Sequence, residues 1–150
     1  MTRPPTTGST TMPGGFELRD HTADLALYAW GPTLEALFTH AAAGLYAAIG
    51  TLTPGPPRGS VTCSARAPDV EGLLQDFLSE LLLRFDTDES ILSHFAFDEL
   101  TNQSLRAAAD AHSLDRERSI LDREVKAVTY HDLAVLHGID RYEVTIILDI

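Results

Sequence analysis

Residues 70–85 carry the pattern that most narrows the folds open to this chain. Val70, Leu73, Leu74, Phe77, Leu78, Leu81, Leu82 and Phe85 recur at i, i+3, i+4 and i+7 without a break, the period of one helix face. Asp69 stands just before them as an N-cap, because a short carboxylate there accepts a bond from an otherwise orphaned helix N–H. A helix with one apolar stripe needs a second layer to cover it. Residues 34–49 predict another helix: Leu34, Leu37, Phe38, Ala41, Leu45, Ala48 and Ile49 keep the same period, with Thr33 at its start and Gly50 at its stop. Its small middle, Ala41–Ala43 and Gly44, suits close packing on a sheet.

The covering layer has to come from strands. GFELR (15–19) alternates polar and apolar residues, as does SVTCSARA (60–67). DLALYAW (24–30) is apolar on both alternations, Leu25, Leu27 and Ala29 against Ala26, Tyr28 and Trp30, so it reads as a strand that is buried or nearly so. Residues 92–100 and 103–113 form a hairpin around Thr101-Asn102. VKAVTYHDLAVL (125–136) is extended in composition, and YEVTIILDI closes the chain as a strand. TLTPGPPRG (51–59) reads as a loop, and the charged stretch 114–124 receives no element. The order predicts an α+β domain, a two-layer α/β sandwich with two amphipathic helices on one mostly antiparallel or mixed sheet.

A length of 150 residues fits a single domain over 15–150, preceded by a Pro/Thr/Gly/Ser tail, 1–14, that reads as flexible. No apolar run approaches the ~18–20 residues of a membrane span, and the N-terminus lacks the apolar core of a signal peptide, so a cytoplasmic protein is expected. Cys63 is the single cysteine, which excludes an internal disulfide and a cysteine-based zinc site. The net charge of −11 argues against a tight grip on nucleic acid, which needs a basic stripe to displace counterions. Arg116, Arg118, Arg123 and Lys126 alternate with Asp115, Glu117, Asp122 and Glu124, the pattern of a solvated face. An acidic chain of this kind suits docking on a basic partner.

Three features could carry chemistry. His21-Thr22-Ala23-Asp24 crowds polar groups at the mouth of an apolar strand, Lys126 opens VKAVTYHDL, and Asp149 precedes Ile150 at the end of ILDI. If the strands beginning at Asp24 and ending at Asp149 are neighbours, the Asp24, Asp149 and terminal carboxylates meet. Gathered carboxylates repel unless a cation joins them, and an all-oxygen set suits Ca²⁺ or Mg²⁺. The plainer alternatives are an Asp24 that caps a turn, an exposed Asp149, a His21 that supports the turn and a surface Lys126. His40, His94, His112, His131 and His137 show no ligand spacing among themselves and read as structural. There is no nucleophile elbow and no phosphate-cradling glycine loop.

DHTADLALYAWGPTLEALF near the start, EVKAVTYHDLAV near residue 130 and VTIILDI at the end, in that order, resemble the archease family over about residues 16–150. The resemblance implies an α/β sandwich and a non-catalytic activator of the GTP-dependent RNA ligase that joins 2′,3′-cyclic-phosphate and 5′-hydroxyl ends in tRNA splicing and RNA repair. Such a protein promotes guanylylation of the ligase and its repeated turnover. The resemblance also implies a divalent metal site, calcium first and magnesium second, whose ligands fall here on Asp24, Asp149 and Ile150. His21 would then orient that site, and Lys126 would touch the ligase or its nucleotide. The alternative attached to the same family is a chaperone-like modulator of an RNA methyltransferase. One departure is visible: Ala111-His112 precedes the charged segment where family members often have a Gly-Glu pair.

Overall fold

The computed structural model describes residues 12–21 and 23–150, without the side chain of His21. Its elements run β1 (Gly15–His21), β2 (Asp24–Gly31), α1 (Leu34–Ile49), β3 (Gly50–Thr51), β4 (Pro54–Arg66), α2 (Val70–Asp88), β5 (Ser90–Leu100), β6 (Ser104–Leu114), β7 (Ile120–Leu121), β8 (Ala127–Val128), β9 (Leu136–His137) and β10 (Tyr142–Asp149). The fold is α+β with antiparallel sheets, as the pattern predicts.

The strands form two main sheets where the sequence suggested one layer. The first has the order β1-β2-β10-β8, with β9 also on β10; the second has the order β4-β6-β5; β3 and β7 make a small separate ladder. Each main sheet receives one helix: α1 lies on β1 and β2, and α2 lies on β4 and β5. The helices also touch each other, and α1 reaches β5 while α2 reaches β8. The apolar side chains of both helices and both inner sheet faces therefore merge into one core, centred on Phe16, Leu27, Phe38, Leu45, Phe77, Leu78 and Ile146.

Both helix starts follow the sequence signals. The Thr33 hydroxyl accepts from Ala36 N at 3.1 Å and the Asp69 carboxylate from Gly72 N at 2.8 Å. In α1 the helical face is broader than its stripe predicted, because a helix placed between two layers is covered on most sides; even His40 is buried. His40 Nε2 faces the carbonyls of Met12 and Pro13 at 3.0 and 3.2 Å, so the last residues of the expected 1–14 tail are tied to α1. Residues 1–11 of that tail lie outside the described residues.

Two segments differ from the sequence reading for physical reasons. PGPPRG is not a loop but the first half of β4. Proline cannot donate to a ladder, yet β4 is an edge strand, and its register shifts at Pro54/Pro57 and Pro57/Gly59 absorb the missing donors. The charged stretch 114–124 closes the end of α1: Arg123 donates to Ala48 O at 2.5 Å, and Asp122 N to Ile49 O at 2.8 Å. The last turn of α1 has no basic residue of its own, so Arg123 supplies the positive charge its carbonyls favour.

Candidate functional site

The carboxylates singled out in the sequence come from strands that are neighbours. β10 pairs antiparallel with β2 from Tyr142 opposite Gly31 to Leu148 opposite Leu25. One further step of this register sets Asp149 against Asp24, and directly opposed residues share a face. On the other side of β10, Asp149 lies opposite Ala127, and the Lys126 N–H donates to the Asp149 carbonyl at 2.7 Å. Ile150 follows, beside Lys126. On the other side of β2, Asp24 is opposite His21 in the tight turn that joins β1 to β2. One end of the first sheet thus gathers His21, Asp24, Asp149, Ile150 and Lys126, from three separate parts of the chain. The His21 side chain lies outside the described residues.

The register is held from the inner face. Leu25 and Leu148 are buried in the core directly beside the two aspartates, and Val128 opposite Leu148 is buried too. A slip of one residue would turn both leucines to solvent and both aspartates into the core, which strongly disfavours it. Segment 127–135 is fastened to α2: Gln75 Nε2 donates to Val128 O at 3.2 Å, Tyr130 Oη to the Asp69 carboxylate at 3.1 Å, and Val135 N to Glu71 Oε2 at 2.8 Å. These bonds place Lys126 at the end of β10. The Tyr130 phenol is pushed up by loss of solvent and by the Asp69 carboxylate it bonds.

Among the described residues no three His, Cys, Asp or Glu side chains cluster as a ligand set. The donors available at this end of the sheet are the Asp24 and Asp149 carboxylates and the main-chain oxygens of Ile150. A set made only of oxygens fits a hard cation such as Ca²⁺ or Mg²⁺ and is a poor match for zinc or copper, which favour nitrogen and sulfur.

The same sheet face continues away from the carboxylates. Cross-strand rows on it are Arg19, Ala26 and Ile147; then Glu17, Tyr28 and Thr145; then Gly15, Trp30, Glu143 and Leu136. Among the described residues α1 packs on the opposite side, where Gly44 meets Leu27 and Phe16. Tyr28 and Trp30 stack with ring centroids 5.3 Å apart. Arg19 lies over Tyr28 at 4.5 Å, and Arg141 lies over Trp30 at 5.7 Å while donating to the Tyr28 hydroxyl at 3.1 Å. The Trp30 ring lies across Gly15, where a Cβ would meet it at 2.9 Å. Both rings are half-buried and the rest of β2 between Leu25 and Gly31 is buried, so the strand is buried or nearly so, as its apolar run predicted. Sequence reading missed this aromatic end of the face. The signal was present in the even alternation Tyr28, Trp30, which lacks the aliphatic residues of the odd one.

Other polar groups are absorbed by the fold. The Tyr46 hydroxyl accepts from Leu92 N at 3.0 Å in the core. Burial pushes the Cys63 thiol up to about 11, with the neighbouring Glu80 acting in the same direction. Arg84 pairs with Glu80 at 2.9 Å one turn along α2. An open cavity of about 590 Å³ lies between the start of α2 and the β5–β6 turn, lined by Asp69, Glu71, Thr101 and Gln103 among others; it does not reach the carboxylates.

Comparison with known proteins agrees with this architecture. Residues 16–150 match the family described as Archease protein family (MTH1598/TM1083). The chain is 32% identical over 139 residues to protein archease of Methanosarcina barkeri, covering 90% of this chain and 95% of that protein. It is 33% identical over 138 residues to protein archease of Methanopyrus kandleri, covering 90% and 99%. The solution structure of Methanobacterium thermoautotrophicum protein 1598 superposes with a TM-score of 0.69 at 29% identity, covering 91% of this chain and 99% of that one. The crystal structure of a Thermotoga maritima archease, described as a possible chaperone, shares the fold at a TM-score of 0.62 and 18% identity, over 88% and 94% of the two chains. With the family matched over all but the first fifteen residues, this chain belongs to the archease family.

Proposed function

We propose that this archease-family chain is a non-catalytic accessory protein that activates a GTP-dependent RNA ligase in tRNA splicing or RNA repair. It binds a divalent cation through Asp24, Asp149 and Ile150, and acts in the cytoplasm. The observation that supports this reading best is the strand register. It pairs Leu25 with Leu148, so that the next residues outward, Asp24 and Asp149, 125 positions apart in sequence (149 less 24), fall at the same end of one face, with Ile150 following. A cation held there would supply positive charge for phosphate oxygens.

The protein's own residues have separable roles in this reading. Asp24 and Asp149 hold the cation, calcium or magnesium. The Lys126 N–H fixes the main chain of Asp149, and the Lys126 side chain, exposed at the rim, meets the ligase or its nucleotide. His21 stands at the turn beside Asp24 and orients it. The charge of −11 suits a basic ligase cleft and disfavours tight binding to free RNA.

The test is multiple-turnover ligation by the cognate ligase with wild-type protein and with the double substitution Asp24→Asn and Asp149→Asn, alongside a calorimetric Ca²⁺ titration of each. Wild type should bind Ca²⁺ and stimulate; the double variant, folded by circular dichroism, should do neither. Stimulation by the double variant at the wild-type rate would sink the metal part. Turnover of RNA or GTP by the purified protein alone would refute the non-catalytic part. If wild type leaves the ligase unchanged yet alters the product of an RNA methyltransferase, the chaperone-like modulator takes its place.

A further inference from the structure

The end of β10 is held by different neighbours at successive residues. Its ladder with β2 ends at Leu148 opposite Leu25, whereas its ladder with β8 goes on to Asp149 opposite Ala127. The Lys126 N–H reaches the Asp149 carbonyl at 2.7 Å, and the Thr129 N–H reaches Ile147 O at 3.1 Å. The chain end therefore takes its place from β8. Yet β8 is only Ala127 and Val128, at the edge of the sheet, and is shorter than strands usually are. Its outer side needs a support of its own. A trans peptide points its N–H and C=O in opposite directions. Because the Thr129 N–H faces β10, the Val128 carbonyl faces away from it. There Gln75 Nε2, from α2, donates to that carbonyl at 3.2 Å in a partly buried contact, where an unpaired acceptor is costly. The Val128 side chain lies in the core. Residue 128 is thus clamped from three sides: by β10, by the core and by Gln75.

We infer that Gln75 is a positioning residue for the end of the chain: its amide holds β8, and through β8 it sets the places of Asp149 and Ile150 as cation ligands. The inference rests on the cation reading above and names the residue of α2 that governs that site. Gln75 acts through the Val128 carbonyl and the Lys126 N–H, not by touching the cation. The ligands stand on the first sheet and Gln75 on the helix that covers the second, so the site depends on how the two layers meet. Glu71 offers an internal comparison. Its carboxylate also holds this segment, through Val135 N at 2.8 Å in a partly buried contact, but at the far end, beyond the left-handed turn at Asp132 (φ 51°). If α2 only stabilised the segment, losing either bond would have the same consequence. If Gln75 positions the chain end, only its loss reaches Asp149.

The experiment titrates Ca²⁺ into the full chain by calorimetry and follows amide hydrogen exchange at Lys126 by NMR. The variants are Gln75→Met, which keeps the length of the side chain, adds no charge and loses the donor, and Glu71→Ala. Gln75→Asn, whose amide is a methylene too short to reach, replaces the first if methionine unfolds the protein. Loss of the Gln75 bond should weaken Ca²⁺ binding by ~10-fold and speed exchange at Lys126. Glu71→Ala should lower the melting temperature too, yet keep Ca²⁺ affinity within ~2-fold of wild type and leave exchange at Lys126 unchanged. Wild-type exchange and affinity in the Gln75 variant overturn the inference and leave the cation reading intact. Equal weakening of Ca²⁺ binding by both variants also overturns it, because both bonds then serve general stability. If wild type itself binds neither Ca²⁺ nor Mg²⁺, the cation reading fails and the inference fails with it.

Discussion

Replacing Tyr46 with Phe tests how the two layers are joined. Tyr46 projects from α1, which lies on the first sheet, and its hydroxyl accepts the N–H of Leu92 in β5, an edge strand of the second. That N–H points away from β6 and has the phenol as its partner. Phenylalanine fits the same space, so the substitution removes the acceptor and leaves a buried donor unpaired, which costs ~1–3 kcal/mol. At this chain length each kcal/mol lowers the melting temperature by about 2–4 °C. The phenol is also pushed well above its ordinary range by burial, the largest cause. The folded state therefore prefers the neutral phenol more than the unfolded state does. Its contribution is complete below the unfolded value near 10, and it declines as pH rises above that, at up to ~1.4 kcal/mol per pH unit. The Cys63 thiol, raised from 9.0 to about 11 by burial, acts in the same sense from pH 9 upward. Urea unfolding followed by circular dichroism at pH 7, 9, 10 and 11 reads all of this. Wild type should lose stability progressively above pH 9. Tyr46→Phe should be less stable at pH 7 but lose less between pH 10 and 11, because one of the two buried acids is gone. A variant as stable as wild type at pH 7 would falsify the role of this hydroxyl as the acceptor of an otherwise orphaned N–H.

Three further outcomes follow from the packing. Gly44→Ala places a Cβ 2.2 Å from Leu27 Cδ1 and 3.2 Å from Phe16 Cδ2, all in the core. Overpacking of ~1–3 kcal/mol outweighs the ~1 kcal/mol that alanine adds to helix propensity, so its melting temperature should fall; a rise would mean that Leu27 has a second place to go. Arg123→Ala removes the half-buried charged donor from Ala48 O and should cost ~1.5–3 kcal/mol in urea unfolding, whereas an unchanged midpoint would show that water replaces it at the end of α1. Cys63 is buried and its thiol is held up to about 11, so it should react with Ellman's reagent only as fast as the protein opens, and a burst with folded protein at pH 8 contradicts that.

How much could be read from the residues depends on whether local or distant forces decide each segment. Both helices were legible because the apolar period, Thr33, Asp69 and Gly50 are local signals that tertiary packing did not need to override. The β5–β6 hairpin was legible for the same reason. PGPPRG misled because the argument against proline in strands applies to paired interiors, and whether a strand is an edge is settled by the whole sheet. Residues 114–124 could not be placed because their partners, the carbonyls at the end of α1 and Glu89 at the end of α2, are distant in sequence and chosen by the fold. The division of the strands into two sheets was equally hidden. An amphipathic helix announces that it needs a cover and says nothing about whether two helices share one.

The site shows the same division from the other side. Asp24 and Asp149 are conspicuous in the sequence because each ends an apolar strand, and a carboxylate at such a point has no packing role. Their meeting depends on β10 being inserted between β2 and β8, a topology in which the last strand of the chain becomes central to a sheet begun by the first two. That placement is enforced by core residues rather than by the site: Val144, Ile146 and Leu148 alternate inward against Ala29, Leu27 and Leu25. The inner alternation therefore fixes the outer one. Every residue on the open face, from Trp30 and Glu143 to Asp24 and Asp149, takes its neighbour from a register chosen by residues it never touches. The core can tolerate conservative apolar changes on these strands while the site stays in place, whereas one inserted residue within β10 would leave the core a compensating bulge and still separate Asp149 from Asp24. Side-chain identity at the rim and register in the core are thus two independent requirements on the same strand, and the first has meaning only once the second is met.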